Sequence, residues 1–280
     1  MASDKRVWFI TGASRGLGRE LAKAVLARGD VVIGTSRDGK IDLDAGHGTL
    51  HVIALDLDKP GREGEAIAQA HGLHGRLDVL VNNAGFGLLG AVEEATEAEA
   101  AQVFNVNFFG PLRLIQSALP LLRAQGSGHI VNLSSIAGIA PGAGSGLYAA
   151  AKFALEGMSE SLAQEVGPLG IRVTVVEPGA FRTDFLSSKS IRHASGQVEE
   201  YAGTSGKLVA YLADMEGKQL GDPVKGARAI VDAIDSPEPP LHLLLGSDSL
   251  RRAREKLKKN VDEFDRWEAV TLATDFPKGE

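Results

Sequence analysis

Seven short apolar runs, at residues 7–10, 31–35, 50–55, 77–81, 129–133, 171–176 and 241–245, alternate with stretches whose apolar residues recur at helical spacing. The helical stretches cover 16–28, 64–71, 97–125, 147–166 and 224–234. This alternation constrains the fold more than any other feature. The runs are apolar at successive positions, so neither face of such a strand can be left in water. A sheet covered on both faces by helices, its strands joined by right-handed crossovers, satisfies that demand. The expectation is an α/β protein with a doubly wound parallel sheet of about seven strands. Across its 280 residues the chain shows no repeat, low-complexity linker or break in composition, so 1–280 reads as one domain.

Local signals refine this outline. Thr96 and Glu99 have the spacing of a capping box at the start of the 97–125 helix. Gly110-Pro111 predicts a kink inside it, because proline has no N–H to give to the preceding turn. Residues 184–222 carry no strand signal and are long for a connection, which predicts a substrate loop or lid. Residues 247–280 read as a C-terminal helical extension.

Composition excludes several classes. The formal net charge of -6 argues against a nucleic-acid partner. The absence of cysteine rules out disulfides, thiolate metal sites and a cysteine nucleophile, and fits a cytoplasmic protein. The start, "MASDKRVWFITGAS", has no long apolar core of a signal peptide, and no apolar run reaches the ~20 residues of a membrane span. The pairs His47/His51 and His71/His74 have ligand-like spacing but no third ligand nearby, so they read as solvated and no metal is expected. "RRAREKLKKN", 251–260, reads as a solvated basic helix face.

The chemistry concentrates at the ends of the runs. After the first comes "TGASRGLG", with Gly12, Gly16 and Gly18. Glycine there permits a sharp turn and close approach to a pyrophosphate at a helix N-terminus. At the end of the second run, NAD-binding sheets commonly carry an acid for the ribose 2′-hydroxyl. This chain has Arg37 there and Arg15 in the glycine turn, two guanidiniums suited to a 2′-phosphate, although Asp38 follows directly. The fourth run ends in "VNNAGFG" and the fifth in "VNLSSIAG", which brings Ser135 to the carboxyl edge of the sheet. Tyr148 and Lys152 lie four residues apart in an otherwise apolar helical stretch, about 6 Å along one face. Alone, that pair reads as a tyrosine and a snorkelling lysine at the rim of an amphipathic helix.

Taken together, "TGASRGLG", Asp56, "NNAG", "NVNFFG", "NLSS", "YAAAK" and "PGAFRT" occur in the order and spacing of the short-chain dehydrogenase/reductase family, which the chain resembles from about residue 5 to about residue 184. The resemblance implies a Rossmann fold and an NAD(P)-dependent oxidoreductase. It implies a catalytic tetrad of Asn107, Ser135, Tyr148 and Lys152, with Ser135 thirteen residues before Tyr148. Ser134 and Asn105 are the poorer matches. Cofactor contacts are implied at Gly12, Ser14, Arg15, Gly16, Leu17, Gly18, Arg37, Asp56, Leu57, Asn83, Ala84, Gly85, Tyr148, Lys152, Pro178, Gly179 and Thr183. In that mechanism Tyr148 exchanges a proton with the substrate oxygen and Lys152 lowers the phenol's proton affinity while bonding the nicotinamide ribose. Ser135 polarises the substrate oxygen, and Asn107 holds a water that links Lys152 to solvent.

The expected function is therefore carbonyl–alcohol interconversion, with NADP(H) preferred and NAD(H) allowed. Substrate contacts are expected at Ser135, Tyr148, Phe86 and Phe185, with Leu88, Ile136, Ile139, Phe181 and Leu186 as further apolar walls. The family usually associates through helices that start here near Glu97 and Leu147, so a homodimer or homotetramer is expected. Two rivals stand beside this reading: a non-redox dinucleotide-binding or regulatory protein of the same fold, and an epimerase or dehydratase, which usually needs a larger C-terminal part.

Overall fold

The computed structural model describes residues 5–276. In chain order the elements are β1 (Val7–Ile10), α1 (Gly16–Ala27), β2 (Val31–Ser36), β3 (Thr49–Ala54), α2 (Glu63–His74), β4 (Val79–Asn82), β5 (Gly87–Leu89), α3 (Glu97–Phe104) and α4 (Gly110–Gln125). They continue with β6 (Gly128–Leu133), α5 (Gly146–Val166), β7 (Ile171–Pro178), β8 (Ile191–His193), α6 (Ser205–Asp214), α7 (Pro223–Asp235), β9 (His242–Leu245) and α8 (Ser247–Leu272).

Seven strands form one sheet in the order β3-β2-β1-β4-β6-β7-β9, every pairing parallel. Apolar residues at successive positions serve two cores. Phe9, Ile33 and Leu80 face a layer with Leu114, Leu122 and Leu162 of α4 and α5, whereas Trp8, Ile10 and Val32 face Leu21 and Val25 of α1 and Ile230 of α7. The Rossmann-like architecture thus follows from strands buried on both faces. The chain leaves β1 toward β2 and β3, then returns to lay β4 on the other side of β1. That reversal opens a crevice at the carboxyl ends of β1 and β4, where such sheets bind ligands.

Three expectations change. The kink in 97–125 is a π-helical turn at Asn105–Phe109, ahead of Gly110-Pro111. Gly110 N–H reaches back to the Asn105 carbonyl, and Pro111 has no N–H to give to the Asn107 carbonyl one turn earlier. The Thr96–Glu99 capping box forms as expected. Residues 184–222 do contain a strand: β8 pairs in parallel with β5, Gly87 opposite Ile191 and Leu89 opposite His193. They also contain α6. Finally, His51 and His74 are not independent solvated groups, since β3 and α2 bring their Nε2 atoms to 3.0 Å.

Candidate active site

The crevice is a cleft of about 990 Å³ that runs from Arg37 at the end of β2 past the glycine turn to α6. Gly12 and Gly16 take φ of 66° and 59°, the left-handed region that only glycine enters without strain. No side chain caps the α1 N-terminus, so its first amides are directed at the cleft for an anion. Gly18 does not line the cleft. A Cβ there would sit 2.2 Å from Asn83 Nδ2 and 2.7 Å from the Gly12 carbonyl, so this glycine lets α1 approach the end of β4. Asn83 Nδ2 donates to the Thr11 carbonyl at 2.8 Å, and the Thr11 hydroxyl accepts from the Asn83 and Ala84 amides at 2.9 and 3.0 Å. Much of the "NNAG" side-chain chemistry is thereby spent on holding the turn in shape.

Arg37 and Lys40 are exposed at the nucleoside end of the cleft. The neighbouring Asp38 accepts from Ser36 Oγ at 3.0 Å and from the Lys40 amide at 3.2 Å, and these hydrogen bonds hold its carboxyl below the usual range. Arg15 points elsewhere, donating to the Lys189 carbonyl at 2.8 Å and Ser190 Oγ at 2.9 Å. Ser14, Leu17, Asp56, Leu57, Ala84, Gly85, Pro178, Gly179 and Thr183 all line the cleft.

At the centre stand the groups from β6 and α5. A buried ladder sets their register: Asn82 Nδ2 donates to Asn132 Oδ1, Asn132 Nδ2 to Ser159 Oγ, and Ser159 Oγ to the Leu155 carbonyl, at 2.8, 2.8 and 2.6 Å. With α5 pinned so, Lys152 Nζ donates to the Leu133 carbonyl at 2.7 Å and lies 5.8 Å from the Tyr148 ring centroid. Tyr148 is buried, its ring 6.2 Å from that of Phe185. Ser135 Oγ accepts from the Ala137 amide at 3.1 Å.

Burial pushes the Tyr148 phenol up to about 12, opposed by the Ser135 hydroxyl, and pushes Lys152 down to about 8, opposed by Glu156. Burial of the phenol thus works against the lowering expected from the Lys152 cation.

Asn107 is fully buried and off the cleft wall. Its Oδ1 accepts from the Phe86 amide at 3.0 Å and its Nδ2 donates to the Phe86 carbonyl at 2.8 Å, so the side chain clamps the loop after β4. It still converges with Lys152: a Cβ on Gly85 would lie 2.8 Å from Asn107 Oδ1 and 3.7 Å from Lys152 Nζ. The Asn107 main-chain carbonyl finds no N–H donor four residues on, because that residue is Pro111.

Among the apolar walls, Phe86, Ile136, Phe181, Phe185 and Leu186 border the cleft, while Leu88 and Ile139 pack into the interior. Sequence reasoning missed Leu208, Tyr211 and Leu212 of α6, which close the far end. Their apolar spacing was the available signal. It also missed Arg192, whose guanidinium lies 4.2 Å over the Phe86 ring.

One turn beyond Lys152, Glu156 meets Glu177 of β7 and His242 of β9. His242 Nδ1 lies 2.6 Å from Glu177 Oε1 and 3.8 Å from Glu156 Oε2. Both carboxyls are buried and held above the usual range, chiefly by burial; for Glu156, raised to about 8, Glu177 adds to this and Ser134 and Lys152 oppose it.

A profile of the short chain dehydrogenase family matches residues 6–194. The 3-ketodihydrosphingosine reductase of Bacteroides thetaiotaomicron is 36% identical over 241 residues, 86% of this chain and 88% of that one. Human retinol dehydrogenase 8 is 37% identical over 260 residues, 86% and 81% of the two chains. A solved short-chain dehydrogenase from Streptomyces avermitilis superposes with a TM-score of 0.89 at 41% identity, covering 98% of this chain and all of that one. A metagenomic short-chain oxidoreductase in complex with NADP has a TM-score of 0.67 at 28% identity, over 86% and 96%. A Burkholderia phymatum structure with NAD shares the fold at 22% identity, TM-score 0.77, over 90% and 92%. The chain belongs to the short-chain dehydrogenase family of oxidoreductases.

Proposed function

We propose that the protein interconverts a bulky apolar ketone and its secondary alcohol, preferring NADP(H) to NAD(H). The observation that carries this is the position of Tyr148 and Ser135 between the anion-ready glycine turn and an apolar far end built by Phe185, Leu186, Leu208 and Leu212. When bound, the dinucleotide supplies or accepts the hydride. Ser135 Oγ donates a hydrogen bond to the substrate oxygen and polarises it. In reduction Tyr148 gives its proton to that oxygen; in oxidation its phenolate takes the proton from the alcohol. Lys152 stabilises the phenolate and bonds the nicotinamide ribose, and the Asn107 carbonyl holds the water that returns the proton. Residues 184–222 form a lid that shields the reacting atoms.

The preference for a 2′-phosphate rests on Arg37 and Lys40 at the end of β2, with Asp38 turned to its own loop. The lipid character of the substrate is supported by the names of two relatives, a reductase of ketodihydrosphingosine and a retinol dehydrogenase. The test is oxidation of NADPH and of NADH with a panel of long-chain and polycyclic ketones. A phosphate contact of about 1.5–3 kcal/mol corresponds to a tenfold or greater preference for NADPH, which Arg37→Asp should reverse. Higher efficiency with NADH refutes the cofactor assignment, and no turnover across the panel with either cofactor refutes the substrate class.

A further inference from the structure

Helix α8 leaves the body of the protein. Its start is anchored: Ser249 and Ala253 are buried, Ser249 Oγ donates to the Glu177 carbonyl at 2.7 Å, and Asp248 accepts from the Ala180 amide at 2.8 Å. From Val261 to Leu272 every residue is exposed. Leu257, Val261, Phe264 and Trp267 are 59%, 54%, 68% and 59% exposed. Steps of four, three and three residues keep them along one side of the helix. Single apolar residues on a surface are ordinary, but a contiguous stripe marks a contact. A helical arm with no tertiary packing is marginal in water, so this one needs its stripe covered.

The charge of the arm indicates what covers it. Before Asn260 the helix carries Arg251, Arg252, Arg254, Lys256, Lys258 and Lys259 against Asp248 and Glu255, and after it Asp262, Glu263, Asp265 and Glu268 against Arg266 alone. A parallel copy of the helix would set like charge on like. An antiparallel copy sets the basic half of each against the acidic half of the other and covers one stripe with its equivalent, as an isologous two-fold contact requires. We propose that α8 is a self-association element, pairing antiparallel with α8 of a second copy of this chain about a two-fold near Asn260. The ion pairs within the helix, Arg251–Glu255 at 3.1 Å and Lys258–Asp262 at 2.6 Å, are exposed and hence weak, so they do not oppose new partners. A lipid surface fits less well. Phe264 and Trp267 stand on the acidic half, which anionic headgroups repel.

The test uses the full chain and measures its mass in solution by light scattering and sedimentation at micromolar concentration. Phe264, Lys258 and Lys259 do not line the cleft and are exposed, so their substitution leaves the fold intact, which circular dichroism verifies. Phe264→Glu should halve the assembly mass. Lys258→Glu with Lys259→Glu should weaken association about tenfold or more, and adding Asp262→Lys with Glu263→Lys to the same chain should restore it. A monomeric wild-type chain, an unchanged mass in Phe264→Glu, or a reversed-charge chain that fails to reassociate overturns the proposal. Co-sedimentation of a monomeric wild-type chain with zwitterionic or anionic vesicles would assign the stripe to lipid instead.

Discussion

Glu156→Gln should make the protein more stable, and increasingly so as pH rises. The carboxyl is 5% exposed, and its proton is held to about 8 against an ordinary value of 4.5. Between those two values the folded chain keeps a proton that the unfolded chain has released. Stability must then fall as pH rises through this window, by about 1.4 kcal/mol per pH unit for one whole proton. Below 4.5 both states hold the proton, and above about 8 neither does, so the slope vanishes at each end. Glutamine keeps the shape and cannot ionise. Urea unfolding of both proteins at pH 6 and pH 8 reads the effect, because the difference between them cancels most other titrating groups. That difference should grow in favour of the variant by about 2 kcal/mol over the two units, less than the full slope because Glu156 in the folded chain is already half ionised near pH 8. A difference that does not change with pH refutes the reasoning, because it would mean that Glu156 is already ionised in the folded chain throughout this range.

Two further outcomes follow from the cleft. Gly18→Ala forces a Cβ into Asn83 Nδ2 and the Gly12 carbonyl, and overpacking of this kind costs about 1–3 kcal/mol. Thermal unfolding should register that loss and dinucleotide titration a weaker affinity; unchanged values for both would mean that the turn is not the framework described. Tyr148→Phe should lower turnover about 10²–10⁴-fold with dinucleotide affinity retained, whereas Lys152→Ala should weaken both. Normal turnover in Tyr148→Phe returns the tyrosine to a packing role.

The sheet and the Tyr148–Lys152–Ser135 grouping were legible because each depends on local spacing: apolar runs, four residues along one helix, and a strand end. β5 and β8 were not, since three residues carry no period and Ile191-Arg192-His193 holds a single apolar side chain. Asn107 was legible as a residue but not in its posture, because the clamp on Phe86 joins segments 21 positions apart. The Glu156–Glu177–His242 group was half visible. Glu156 continues the four-residue step of Tyr148 and Lys152, but its burial depends on β7 and β9, brought there by the fold alone. Arg15 looked like a phosphate ligand from its place in the glycine turn, and nothing nearby in sequence pointed to Ser190.

That posture of Arg15 has a consequence for the order in which ligands come and go. One guanidinium links the glycine turn to residues 189 and 190, just ahead of the short strand that pairs with β5. Were a dinucleotide phosphate to draw that guanidinium away, as the proposed NADP(H) preference allows, this hold would be given up. Arrival of the dinucleotide phosphate would therefore unlatch the wall of the substrate compartment, and departure would latch it again. A chain wired in this way would be expected to take its coenzyme before its substrate, with the timing set by a single arginine.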